Sequence, residues 1–522
     1  MPSYLSPGVY VEEVPSSSAS LSAGATAIAA FVGFTDKAPK DEPDKPRLVT
    51  SWSQYEALYG GFAADAMLPN AVYGWFNNGG SVCYIVRVPH RTPSAESGTL
   101  ALKAADKKVG DILTISSQGA ADGITVAVTL NNDGDEATGA TPTFNLVVTK
   151  GDEPTETYEG LTVKKGADNN AATKTKDSKL ITVAVADVAD DLDIALALPK
   201  PGNFPVVPAA PTPLAVTAPA FAGSETARKG INGLVIAEDV TIVLVPDLVN
   251  AAKLPDGKPD PVMWKSVQSA LITHCELQAN RMAILDPMPG MTVQEVKDWR
   301  SNEAMYDSAF AAMYYPWVKV ANPLDDGSKK GDEMILVPPS GHIAGLWART
   351  DNTRGVWKAP ANDTLRGVLE LESTVTMADQ TQLNPIGINC IRPFGTRGIR
   401  VWGARTLADP TGDWRYINVR RLFNMIETTI MQGTQYAVFE PNDVRLWEGV
   451  KRTLNAFLRG LWRDGALFGA TPEQAFFVKC DSDTNPPDSI DEGKLIVEVG
   501  IAPVKPAEFV IFRISQFKDN AA

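Results

Sequence analysis

The 522-residue chain sets 48 Lys and Arg against 62 Asp and Glu, for a formal net charge of −14. That length allows about three domains and a large core, and the acidic balance argues against a protein that binds nucleic acid as a whole. Four scattered cysteines (Cys83, Cys275, Cys390 and Cys480) form no CxxC pair and no His/Cys cluster, which argues against a disulfide framework and fits a chain made in the cytoplasm.

Val9–Val14 (VYVEEV) reads as a lone strand held between Pro7 and Pro15. Six residues with no hairpin partner cannot hold themselves in a sheet, so this arm must add to one elsewhere. The apolar run Ala23–Phe34 follows Glu12 and Glu13, precedes the first basic residue at Lys37, and is too short to span a bilayer. It is read as the first core strand, and no signal peptide is expected. Residues 31–89 then read as strand, helix, strand. Ser51–Gly60 is a short helix with a Ser cap and a glycine stop, and Ala71–Phe76 leads through a turn at Asn77–Gly80 into the buried strand Val82–Val88.

The composition changes next, because all 11 tryptophans lie outside 91–229, a stretch with only four aromatics. Its alternating runs Ile124–Leu130, Phe144–Thr149 and Leu180–Val185 predict a small antiparallel domain, with a proline-rich return linker at 201–219; partial disorder is the alternative. From 231 to 320, strands and helices alternate: strand Asp239–Pro246, helix Val262–Ala279, strand Arg281–Asp286, a helix from Thr292 to about Met313 opened by a Thr292/Glu295 capping box, and strand Trp317–Val320. This order predicts a parallel sheet covered by helices. Such sheets bind ligands at the carboxyl ends of their strands, where Asp247 and Asp286 fall, so a soluble α/β enzyme using those carboxylates is one reading. No nucleotide-binding or nucleophile-elbow motif accompanies them, and His90, His274 and His342 lack metal-ligand spacing. An Asp ending a strand is most often a turn or cap residue. No catalytic residue, cofactor or metal is expected.

Toward the C-terminus, residues 385–480 hold thirteen Lys and Arg against eight Asp and Glu. Within them Val444–Asp464 predicts an amphipathic helix with an Asp443 or Asn442 cap and a Gly465 stop. Arg445, Arg452, Arg459 and Arg463 recur at spacings of 7, 7 and 4, which confines them to an arc of roughly 40°. Gly449, Ala456 and Gly460 lie beside that stripe, and a solvated face of a core helix is its bland reading. Lys494–Ile501 alternates, with Leu495, Val497 and Val499 on one side, while Glu508–Phe517 is apolar on both (Phe509 and Ile511; Val510, Phe512 and Ile514). Pro503 and Pro506 separate the two, which read as a C-terminal strand pair. Both chain ends are thus expected to donate or receive strands between subunits, unless the N-terminal arm (Val9, Tyr10, Val11, Val14) folds back on its own chain.

The block Ile335–Asn362 (ILVPPSGHIAGLWARTDNTRGVWKAPAN) reads as a strand ended by Pro338 and Pro339, a short helix Ser340–Ala348, and a loop carrying Arg349, Arg354, Gly355 and Lys358. It resembles contractile tail sheath proteins. The resemblance continues at PGVYVEEV (7–14), AAFVGF (29–34), FNNGGSVCYIVRV (76–88), NPIGINCIRPFGTRGIRVWGARTL (384–407) and the closing PAEFVIFRISQ. It implies a non-enzymatic structural protein of mixed α/β and α+β class. Its expected parts are an arm (1–30), an α/β core (31–90 and 230–384), an outward β-rich insertion (91–229) and a C-terminal α+β inner domain (385–522) ending in a strand arm. The implied partners are copies of itself in helically stacked hexameric rings, an inner tube gripped by the arginine stripe, and baseplate and cap proteins, with a membrane reached only indirectly. Phage tail, R-type bacteriocin and extracellular injection system all remain open, and the opening residues look most like the last.

Overall fold

The computed structural model describes residues 21, 24, 26–92, 97–105, 110–121, 123–131, 142–151, 153–186, 197–208, 212–328 and 331–513. Val9, Tyr10, Val11, Val14 and Ile514, expected in the arms, lie outside them. Short runs buried from end to end, such as Ala29–Gly33, Ile242–Leu244, Met282–Leu285 and Ala311–Tyr315, cannot be left at a surface. They stack into an eight-stranded sheet ordered 399–402, 388–393, 311–315, 282–285, 242–244, 29–33, 83–87, 47–49. The six inner strands are parallel, with Ala29 flanked by Ile242 and Cys83, and the two edge strands are antiparallel.

Alternate residues of each strand serve opposite faces. On one, Val32, Val243, Ala283 and Met313 pack with Trp264 and Leu271 of helix Pro261–Gln278. On the other, Phe31, Leu244, Ile284 and Tyr314 pack with Trp75 of helix Leu68–Asn78 and Trp347 of helix Ser340–Arg354. Those two helices approach so closely that a Cβ on Gly341 would fall 2.4 Å from the Ala71 carbonyl oxygen. C-terminal to the sheet, helices Ile417–Gly433 and Val444–Arg463 share a core of Leu422, Ile426, Leu458 and Leu461 with the two-stranded sheet of Phe476–Lys479 and Glu498–Ile501.

Residues 90–214 form a separate compact unit. Two four-stranded antiparallel sheets, 202–205/124–131/143–150/156–161 and 207–208/98–103/111–117/181–185, enclose one core that includes Leu113, Val126, Phe144 and Leu146. Its entering and leaving segments pair: the Leu214 amide donates to the His90 carbonyl at 2.8 Å and the Thr92 amide to Thr212 at 2.9 Å. Residues 215–229 belong instead to the larger unit, where Phe221 lies 5.8 Å from Phe34.

Several expectations are corrected. The helix begun at Thr292 ends at Asp298, passes through a π-helical turn at Trp299–Ala304, and leaves at Met305 with φ 48°; the apolar run that follows is the buried strand Ala311–Tyr315. Ser340–Arg354 is one helix, so Arg349 and Arg354 are helical rather than in a loop. Asn77–Gly80 ends the helix Leu68–Asn78, with Gly79 at φ 121°. Strands 388–393 and 399–402, assigned to the C-terminal domain, belong to the large sheet. The expected pairing of 494–501 with 508–517 does not form among the described residues. Only Glu498–Ile501 is a strand, and it pairs with Phe476–Lys479 because Gly500 lacks the Cβ that would fall 2.1 Å from the Phe477 ring.

Candidate functional site

Asp247 and Asp286 both fall at strand ends, as expected, but their acceptors are committed to the fold. Asp247 accepts from the backbone amides of Phe34 at 2.7 Å, Met67 at 2.5 Å and Leu68 at 3.1 Å, joining the start of helix Leu68–Asn78 to the sheet. Burial drives its carboxyl up to about 6 against the pull of those amides. Asp286 accepts from the Ser340 amide at 2.9 Å, at the start of helix Ser340–Arg354, and burial drives it up to about 7. Both act as spatial caps for helix ends. Neither lines the cavities that open beside Arg421 and Arg420.

Helix Val444–Arg463 forms as its pattern predicts. The Asp443 carboxylate caps it by accepting from the Arg445 and Leu446 amides at 2.9 and 3.0 Å. Trp447, Val450, Leu454, Leu458 and Leu461 are buried, whereas Arg445, Arg452, Arg459 and Arg463 are all exposed. None of the four guanidinium groups makes a hydrogen bond or ion pair with any described residue. Beside them Gly449 and Gly460 have open space where a Cβ would point. A Cβ at either position would therefore meet no described residue, although each glycine costs an exposed helix about 1 kcal/mol relative to alanine.

The small sheet of Phe476–Lys479 and Glu498–Ile501 has two strands and so keeps unpaired edges among the described residues. Val499 lies in it, while Leu495 and Val497 precede it in irregular backbone, half-buried. Past the sheet, Phe509, Val510, Ile511 and Phe512 are 73, 69, 79 and 84% exposed. Four consecutive apolar side chains in water are an unfavourable end state for an isolated chain.

Sequence reasoning missed two buried guanidinium sites. Arg421 donates to both oxygens of Asp351 at 2.8 and 2.6 Å and to the Thr26 carbonyl at 2.8 Å, and its guanidinium lies over the Trp347 ring at 4.7 Å. Arg405 meets Glu508 in a second two-pronged pair, at 2.9 and 2.7 Å. All four cysteines are buried and unpaired; burial pushes the thiols of Cys275 and Cys390 up to about 12, and that of Cys83 higher still. Among the described residues no helix is long and apolar enough to cross a membrane.

Residues 247–407 match the family model for the phage tail sheath protein central domain, and 409–517 that for the phage tail sheath C-terminal domain. The tail sheath protein of Vibrio phage KVP40 is 27% identical over 290 residues, which cover 54% of this chain and only 40% of that relative. The anti-feeding prophage (AFP) helical sheath in its contracted state is similar over 98% of this chain and 99% of its own, with 26% identity and a TM-score of 0.58. The sheath complex of PVC, an extracellular contractile injection system, also contracted, is similar over 99% of both chains, with 25% identity and a TM-score of 0.56. These matches define the class first, a tail sheath protein in its central and C-terminal domains. The chain belongs to the contractile tail sheath family.

Proposed function

We propose that this chain is a structural subunit that polymerises as stacked six-fold rings around an inner tube and, on contraction, drives that tube through a target membrane. The carrying observation is the likeness over 98% of the chain to a helical sheath in its contracted state. The comparable likeness to the PVC sheath complex favours an extracellular injection particle among the three kinds of machine. Baseplate and cap proteins would terminate the polymer.

The unpaired edges around 476–479 and 498–501 are the receiving site for a neighbour's arm, residues 9–14 or 509–514, because exposed backbone donors and acceptors template strand addition. The arginine stripe of helix Val444–Arg463 grips an acidic tube, and its glycines let the tube surface come close. Exposed ion pairs contribute about 0.2 to 1 kcal/mol each, so one subunit holds weakly, many together hold a sheath, and each grip releases when contraction begins.

Negative-stain microscopy of the purified protein, alone and with its tube protein, tests the reading: tubes are expected, and a small soluble oligomer under both conditions would refute it. Deleting residues 1–15 should leave folded subunits that make no long sheaths. Reversing Arg452 and Arg459 to Glu should give sheaths that form empty or precontracted; tube-filled sheaths at low salt would rule the helix out as the grip.

A further inference from the structure

Beyond the strand Glu498–Ile501 the chain is fastened to its own subunit at successive points. The Phe468 amide donates to the Ala502 carbonyl at 2.8 Å, Leu467 bridges Pro503, and Asn418 Nδ2 donates to the Val504 carbonyl at 3.1 Å. Glu508 is the last of these points. Its Oε1 accepts from Arg405 Nε at 2.9 Å and Asn384 Nδ2 at 2.6 Å, and its Oε2 from Arg405 Nη2 at 2.7 Å and the Tyr416 hydroxyl at 3.2 Å. Arg405 is itself seated. Its amide donates to Asn389 Oδ1 at 2.7 Å, its carbonyl accepts from Asn389 Nδ2 at 2.8 Å, and Asn389 lies in the 388–393 strand of the large sheet. From 509 to 513, no residue makes a hydrogen bond or ion pair with another described residue.

We infer that Glu508 is the positioning residue of the C-terminal arm, the point at which the rigid subunit ends and the exchanged strand begins. The inference rests on the proposed role of the 509–514 segment as a donor strand. A two-pronged guanidinium–carboxylate pair fixes direction as well as place, and two further donors fill the remaining acceptor sites of the carboxylate. Labour is divided along the segment. Phe509 through Phe512 leave their apolar surface for a neighbour, while the polar residue just before them does the anchoring. Tension on the arm then passes through Arg405 and Asn389 into the large sheet, and neighbours pivot at the 508/509 junction without unzipping residues 498–504. The N-terminal side is rooted alike, through the Thr26 carbonyl on Arg421.

The test uses the full-length protein with a nitroxide on Ala507→Cys, an exposed position that can be labelled selectively because the native cysteines are buried. Glu508→Ala should raise the label's mobility severalfold in the unassembled subunit, and Glu508→Gln, which keeps acceptor oxygen but not charge, should raise it less. In assembled material, Glu508→Ala sheaths should form but break into several-fold shorter pieces on contraction, with Glu508→Gln intermediate. Unchanged mobility, or contracted Glu508→Ala sheaths of wild-type length, would overturn the inference. A chain truncated after 508 separates the two ideas, since full-length contracted sheaths from it would instead remove the donor-strand reading itself.

Discussion

At the residue scale, buried charge serves the fold. Asp286 has its carboxyl raised to about 7 by burial, which gives stability a definite pH dependence. Below the ordinary aspartate range both folded and unfolded chains hold the proton and the group contributes nothing. As pH climbs toward 7 the unfolded chain ionises first, so folding loses ground, and above 7 the cost is complete, on the order of a few kcal/mol. Asp286→Asn keeps an acceptor for the Ser340 amide and abolishes the titration. The variant's larger unit should therefore gain thermal midpoint relative to wild type between pH 4 and pH 8; parallel pH profiles would count against this account. The Arg421–Asp351 pair is almost fully enclosed, so Asp351→Ala strands a buried guanidinium and should cost about 3 to 5 kcal/mol, most of it regained when Arg421 is also changed to Met. Denaturation of both variants checks the difference. Neither guanidinium site was legible beforehand, because Arg421 and Arg405 find their carboxylates 70 and 103 residues away, and no local spacing records such a meeting.

At the element scale, period and capping carried the reading where one residue pattern decides one element. Helix Val444–Arg463 was legible because its apolar face repeats over about four turns and Asp443 stands at its start. The partner of Glu498–Ile501 was not, since alternation says that a strand exists but not which strand it meets, and the deciding contact is Phe477 lying across Gly500. The overlong helix from Thr292 failed for a related reason: Ala311–Tyr315 is apolar throughout, and a run buried on every side looks the same in either period. The open glycines of helix Val444–Arg463 offer a prediction at this scale. Gly449→Ala and Gly460→Ala should each stabilise the helix by about 1 kcal/mol, with no clash inside the subunit, whereas Gly460→Leu should fold normally and bind the tube poorly. Thermal melts and a tube co-sedimentation assay read the two effects apart, and tight tube binding by Gly460→Leu would place the tube elsewhere.

At the scale of the whole molecule, the two units have separate cores, and residues 90–214 begin and end on segments bonded to each other. We therefore expect 90–214 to fold alone, and a chain in which a short Gly/Ser linker replaces residues 93–211 to keep the cooperative unfolding of the larger unit and to form tubes; loss of either would make the insertion integral to the core. The four enclosed cysteines bear on the assembled machine in a different way. In the proposed sheath, subunits that move past one another on contraction would be frozen by a single covalent bond across a seam, and a thiolate at the surface is the reagent that makes one. With each sulfur enclosed and its thiol held protonated by burial, thiol–disulfide exchange has no foothold on the subunit, so the proposed sheath would keep its seams free of such bonds even in oxidising surroundings.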